Sequence, residues 1–157
     1  MAGADDSLLV NNNAASVFLI LNEFARGKEV IVSRGEAIQI GGGFRIPDIM
    51  AQSGASLVEV GTTNITTIDD YRNAVSGNTG MIFSAHRSNF RMEGFTESPS
   101  LSEMASLKNE NIIFVRDLGS GNLFPAPELS SPIDPPVRQE LAQGPDLLCF
   151  SGDKLLG

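Results

Sequence analysis

The sequence predicts an α/β fold, a mostly parallel sheet with helices on both faces, and three observations carry that prediction. Short apolar and β-branched runs recur along the chain, segments with helical apolar spacing separate them, and most of the runs end on polar or ionisable side chains. Strands that alternate with helices build βαβ units, because parallel neighbours need a crossover and a helix supplies it.

The elements follow in order. Asn11-Asn12-Asn13 supplies cap residues for a first helix over 13–25, with apolar side chains at the spacing of one helical face. Glu29–Ser33 (EVIVS) is the first strand, followed by a helix over 46–52 and a second strand, Ser56–Val60 (SLVEV). A helix over 67–75 opens on Thr67 with Asp70 in the capping-box position, and a strand over 81–85 (MIFSA) comes next. A helix over 101–108, a strand over 112–117 (IIFVRD), a helix over 134–142 and a strand over 147–151 (LLCFS) complete the series. Gly27, Gly54, Gly77 and Gly144 stand where helices should stop. The stretch 124–136 (FPAPELSSPIDPP) breaks the rhythm and reads as a long surface loop, since each Pro removes a backbone donor and restricts its predecessor.

Composition bounds the function. The chain has 157 residues, a formal charge of −8 and one Cys, with 41% hydrophobic and 19% charged residues. That describes a globular domain with no disulfide framework, and Cys149 reads as a buried small apolar residue. The acidic balance argues against broad contact with phosphate backbones, whose non-specific affinity comes mainly from Lys and Arg. The apolar run Val17 to Leu21 follows Asp5 and Asp6 and precedes Glu23, which is unlike a secretory signal, and nothing approaches the roughly 20 apolar residues that span a bilayer. A soluble, cytoplasmic protein with no membrane contact is expected.

In open α/β sheets, ligands lie beyond the carboxyl ends of the strands. Those ends carry Ser33-Arg34-Gly35-Glu36, Ala85-His86-Arg87, Asp117-Leu118-Gly119-Ser120-Gly121 and Ser151-Gly152-Asp153-Lys154. Taken singly, each residue has a plain reading: Asn13 as a helix cap, Asp117 as a cap or metal ligand, Lys154 as solvated surface, His86 as a satisfied histidine. Taken together they fit pyridoxal 5'-phosphate. A helix N-terminus at Asn12, Asn13 and Ala14 suits its phosphate, Asp117 its pyridinium nitrogen, Lys154 its aldehyde, and His86 its ring face. Ser151-Gly152-Asp153-Lys154 also matches the S-x-x-K of penicillin-binding proteins, but neither Ser-Asp-Asn nor Lys-Thr-Gly occurs. Gly41-Gly42-Gly43 lacks dinucleotide-site spacing, and one His and one Cys leave no metal site to expect.

Seven segments, in order, carry a resemblance: Val10 to Ala15, Ser33 to Glu36, Ile40 to Asp48 (IGGGFRIPD), Val60 to Asn64 (VGTTN), His86 to Phe90 (HRSNF), Asp117 to Gly121 (DLGSG) and Phe150 to Gly157 (FSGDKLLG). From about Leu8 to the last residue the chain resembles the bacterial selenocysteine synthases, L-seryl-tRNA(Sec) selenium transferases. The resemblance implies an aspartate-aminotransferase-like large domain (PLP fold type I), apparently truncated. Residues 1–157 would then be a single partial domain without the family's N-terminal tRNA-binding and C-terminal domains. It implies a PLP-dependent enzyme that converts seryl-tRNA(Sec) to selenocysteinyl-tRNA(Sec) with selenophosphate, through an aminoacrylyl intermediate. Lys154 and Asp117 are the implied catalytic residues, and Asn12, Asn13, Ala14, His86 and Ser151 join them around the cofactor. Arg34, Arg45 and Arg87 are the implied sites for selenophosphate or tRNA phosphate, with salt bridges to Glu36, Asp48 and other acids as the plainer reading. A homo-oligomer is implied, dimer-based and decameric in the family. The alternatives are a related PLP-dependent ammonia lyase of a small amino or sugar acid, or an inactive fragment or non-catalytic domain that retains the fold.

Overall fold

A computed structural model describes residues 2–40, 43–123 and 135–154. Its elements are helix α1 (Asn13–Phe24), strand β1 (Glu29–Ser33), a short 3₁₀ turn (Arg34–Glu36), strands β2 (Gln39–Ile40) and β3 (Phe44–Arg45), and helix α2 (Ile46–Ser53). Strand β4 (Ser56–Val60), helix α3 (Ile68–Ala74), strand β5 (Thr79–Ala85) and helix α4 (Leu101–Ala105) follow. Strand β6 (Ile113–Asp117), helix α5 (Val137–Leu141) and strand β7 (Leu147–Cys149) end the series.

Five strands form one sheet in the order β4-β1-β5-β6-β7, and every neighbouring pair is parallel. Among the described residues the sheet is wholly parallel, in keeping with the predicted class. Because side chains alternate along a strand, its two faces collect separate cores. Val30, Val32, Met81, Phe83 and Val115 pack against Val17 and Leu21 of α1 and Ile46, Ile49 and Met50 of α2. Ile31, Ile82 and Phe114 face the other way, onto Tyr71 of α3 and Leu101 and Met104 of α4. Each large apolar side chain so enclosed contributes roughly 1.5–3 kcal/mol, and both faces need their helices because neither face of a parallel sheet is polar.

The local chemistry sets the element ends. Asn12 caps α1 by accepting from the Ala15 N–H at 2.9 Å, and apolar residues at Val17, Leu21 and Ala25 form its buried stripe. Gly54 closes α2 at φ +81°, a left-handed position that only glycine adopts without strain. Thr67 lies outside α3 as its cap, with both reciprocal bonds of the capping box to Asp70 in place.

Several boundaries differ from the sequence-based expectation, each for a local reason. The helix expected over 101–108 stops at Ala105, because the Ser106 hydroxyl takes the Glu103 carbonyl at 2.6 Å and Lys108 turns to Asp146. The helix expected over 134–142 begins at Val137, after Pro135 and Pro136, and Pro136 is its cap residue. The strand expected over 147–151 stops at Cys149, because the Ser151 N–H turns to Gly119 O at 2.9 Å. The β2–β3 hairpin was not expected. Most of the expected loop over 124–136 lies outside the described residues, but its flanks meet where Val137 N–H donates to Asn122 O at 2.7 Å.

Candidate active site

In a parallel sheet all carboxyl ends reach the same edge, so residues far apart in the chain meet there. Strand β6 ends on Asp117, which is 3% exposed, and one of its carboxylate oxygens accepts from both Asn13 Nδ2 (2.8 Å) and the Gly119 N–H (2.9 Å). Helix α1 packs on one face of the sheet through Val17 and Leu21, and its first residue brings an amide to the carboxylate. The Asp117 carbonyl accepts the His86 N–H at 2.7 Å, which ties the first residue after β5 to the last of β6. Beyond β7, Ser151 N–H reaches Gly119 O, and Lys154 Nζ donates to that same carbonyl at 3.4 Å. Asn13, His86, Asp117, Ser151 and Lys154 thus converge on one short stretch of sheet edge.

Glycine permits this closeness. A Cβ on Gly119 would stand 2.6 Å from Ser88 Oγ, and one on Gly121 would overlap the Phe150 ring, with both glycines at positive φ.

Burial pushes the Asp117 carboxyl above the ordinary carboxylate range, against the Asn13 amide, the Gly119 N–H and the charges of Arg116 and Lys154. Burial likewise raises the Cys149 thiol well above its usual value, with Asp117 adding to the effect, and this free cysteine is buried, as its apolar reading implies. Asn13 Oδ1 is buried and has no hydrogen bond among the described residues. An orphaned acceptor beside a buried carboxylate asks for a ligand that brings hydrogen-bond donors and positive charge. A protonated pyridine ring meets that description, so the residues present fit pyridoxal phosphate.

The remaining expected residues are placed less centrally. Asn12 spends its side chain on capping α1, and Ala14 lies in the first turn, where backbone N–H groups lack helical acceptors. Ser151 Oγ donates to Asp153 at 2.6 Å. Arg34 donates to Gly61 O at 3.2 Å and stands 3.9 Å from Glu59, while Arg45 donates to Gln39 at 2.9 Å on the β2–β3 hairpin. Arg87 donates to Ser98 at 3.0 Å and borders a cleft of about 650 Å³ that also reaches His86, Arg91 and Arg116. Among the described residues, no group of three or more His, Cys, Asp or Glu side chains could hold a metal ion.

The opposite face of the same edge holds a charged network that the sequence reading passed over. Arg116, one residue before Asp117 and so on the other face, donates from Nε to Glu140 Oε2 at 2.8 Å and from NH1 to Ser84 Oγ at 2.7 Å. Ser84 donates on to Glu36, whose other oxygen accepts the Ala85 N–H at 3.0 Å. Burial raises the Glu36 carboxyl, opposed by that backbone bond and by Arg116, Ser84 and Arg87. The signal was available: a charged residue inside an apolar strand needs a buried partner.

D-glucosaminate-6-phosphate ammonia-lyase superposes at a TM-score of 0.77 with 18% identity, over 98% of this chain and 41% of that one. Thermus thermophilus aspartate aminotransferase superposes at 0.52 with 20% identity, over 73% of this chain and 30% of that one. The fold is the aspartate-aminotransferase-like, type I fold of PLP enzymes. Within it, the chain belongs to the L-seryl-tRNA selenium transferase (SelA) family, whose model matches residues 1–157. A curated L-seryl-tRNA(Sec) selenium transferase from Haemophilus influenzae strain Rd is 54% identical over 158 aligned positions, covering all of this chain and 34% of the relative. The chain therefore spans about a third of the length of the curated relatives it matches. No helix among the described residues is long and apolar enough to cross a membrane.

Proposed function

We propose that residues 1–157 form part of the large domain of a PLP-dependent enzyme that converts L-seryl-tRNA(Sec) to selenocysteinyl-tRNA(Sec) with selenophosphate. The observation that carries this reading is the meeting of Asp117, Asn13 and Lys154 at one sheet edge in a chain of this family. Pyridoxal phosphate, when bound, supplies an electron sink for breaking bonds at the amino acid's α- and β-carbons. Asp117 holds a proton on the cofactor's ring nitrogen, because a carboxylate buried in low dielectric gains most from a cationic partner. Asn13 and the Gly119 N–H aim that carboxylate. The Lys154 amine carries the cofactor and moves the α-proton of the seryl group. His86, anchored through its backbone to Asp117, would serve as the cover for the ring, and the N–H groups of Asn13 and Ala14 at the start of α1 would hold the phosphate.

Arg34 and Arg87, both near the carboxyl edge, take the oxyanions of selenophosphate or tRNA phosphate. Arg45, engaged on the hairpin, is the weakest of the three for that task. The active protein is a homo-oligomer built from dimers and works in the cytoplasm. The −8 charge of residues 1–157 makes them a poor source of non-specific contact with tRNA phosphates.

The test is covalent trapping. Pyridoxal phosphate is added, the mixture is reduced with borohydride, and peptides are mapped by mass spectrometry. Pyridoxyl mass on Lys154, absent in Lys154→Ala, is the expected result; no adduct, or an adduct elsewhere, overturns the cofactor reading. Turnover of seryl-tRNA(Sec) by the protein that carries this segment separates the specific reading from the ammonia-lyase alternative, which ammonia release without transfer to tRNA would establish instead.

A further inference from the structure

His86 is held by two consecutive residues that lie on opposite faces of β6. Its backbone N–H meets the Asp117 carbonyl at 2.7 Å, and its ring Nδ1 lies 3.5 Å from Arg116 NH2. We propose that Arg116 is a positioning residue that fixes the plane and the tautomer of the His86 imidazole from behind the sheet.

The Arg116 guanidinium constrains the ring. It is planar and carries only donors, so a nitrogen facing it must be an acceptor. Nδ1 of His86 is then unprotonated and the ring proton resides on Nε2. The guanidinium itself has little freedom to turn. Its Nε is taken by Glu140 Oε2 at 2.8 Å and its NH1 by Ser84 Oγ at 2.7 Å, and in a rigid fork two fixed donors determine where the third points. The side chains of Arg116 and Glu140 are 10% and 7% exposed, so water competes little for these bonds.

The network also couples distant elements. Glu140 stands on α5, Arg116 on β6, Ser84 on β5 and Glu36 in the 3₁₀ turn after β1. Four segments of the fold therefore set one imidazole. The buried ion pair is costly as a stabilising device, since desolvation offsets most of its attraction. A role in orienting a neighbour accounts for the pair better than stability does.

The bearing on catalysis rests on the proposed reading of His86 as the ring cover, but the test requires no cofactor, so the two fail separately. This sequence contains a single histidine, so its imidazole nitrogens are resolved in a long-range proton–nitrogen spectrum of the unliganded chain. The expected spectrum of the neutral imidazole has its proton on Nε2 and a hydrogen-bonded, unprotonated Nδ1. Arg116→Met should shift the Nδ1 resonance towards its unbonded position and mix the tautomers, whereas Glu140→Gln, which keeps an acceptor for Nε, should leave the tautomer in place. A proton on Nδ1 in the unaltered chain overturns the proposal, even if Arg116→Met fails to fold. Nitrogen resonances unchanged in a folded Arg116→Met overturn it as well.

Discussion

Asn13 Nδ2 donates to Asp117 Oδ1 at 2.8 Å across 104 positions of sequence, joining the first residue of α1 to the last of β6. The bond is half-buried and serves the carboxylate that dominates the candidate site. Asn13→Ala removes a donor to a buried charge, and the fold should lose about 1–3 kcal/mol. Asn13→Asp should lose more at neutral pH than at acid pH, because two carboxylates then face each other until one is protonated. Urea unfolding at the two pH values measures both; equal losses for Asn13→Asp at both would show that the amide does not serve the Asp117 charge.

Asp117 itself costs stability in the unliganded protein. Its carboxyl is raised above the ordinary range by burial, so the fold favours the protonated form. The sign follows from linkage: this group's contribution is complete below the usual Asp range and is lost as pH rises through its folded value. Asp117→Asn keeps an acceptor for Asn13 and Gly119 and removes that loss. The unliganded variant should therefore match or exceed its parent in urea at neutral pH, with the advantage fading on acidification, while pyridoxyl trapping on Lys154 drops at limiting cofactor. A variant less stable than its parent at neutral pH would contradict the burial argument.

The Arg116–Glu140 pair should behave asymmetrically. Glu140→Ala leaves a buried guanidinium without its carboxylate and should cost about 3–5 kcal/mol, whereas Arg116→Met combined with Glu140→Leu removes both charges and should cost much less. A double-mutant cycle by denaturant unfolding gives the coupling. Single losses that simply add in the double variant would mean the pair is not coupled.

Gly121 should resist substitution for two separable reasons. Its φ is +49°, and a Cβ there would overlap the Phe150 ring. Gly121→Ala should destabilise by roughly 1–3 kcal/mol from the backbone conformation alone, and by more while Phe150 is present. Adding Phe150→Ala should remove the overlap but not the backbone strain. Thermal midpoints of the single and double variants, compared with Phe150→Ala, separate the two parts; Gly121→Ala with an unchanged midpoint would refute both.

The sequence by itself determined the layered α/β class and the chemical cast of the site. Strands such as Glu29–Ser33 and Ser56–Val60 were legible to the residue, because apolar, β-branched runs between glycines and cap residues have few other ways to bury themselves. Asp117, Lys154, His86 and Asn13 were legible as candidates because each stands just past a strand or at a helix start, where packing alone does not call for polar groups. Element ends were less legible, since Ser106 and Ser151 stop their elements by hydrogen bonds to specific carbonyls. Only the tertiary structure decided the partnerships. That the Asn13 side chain serves Asp117 rather than the helix end depends on how α1 packs on the face of the sheet, which brings its first residue to the end of β6. That Arg116, Ser84, Glu36 and Glu140 form one network depends on the register of β5 and β6 and on α5 bringing Glu140 to Arg116. Local spacing governs which face a side chain points to, whereas strand order and register govern whom it meets there, and those are set by packing over the whole chain.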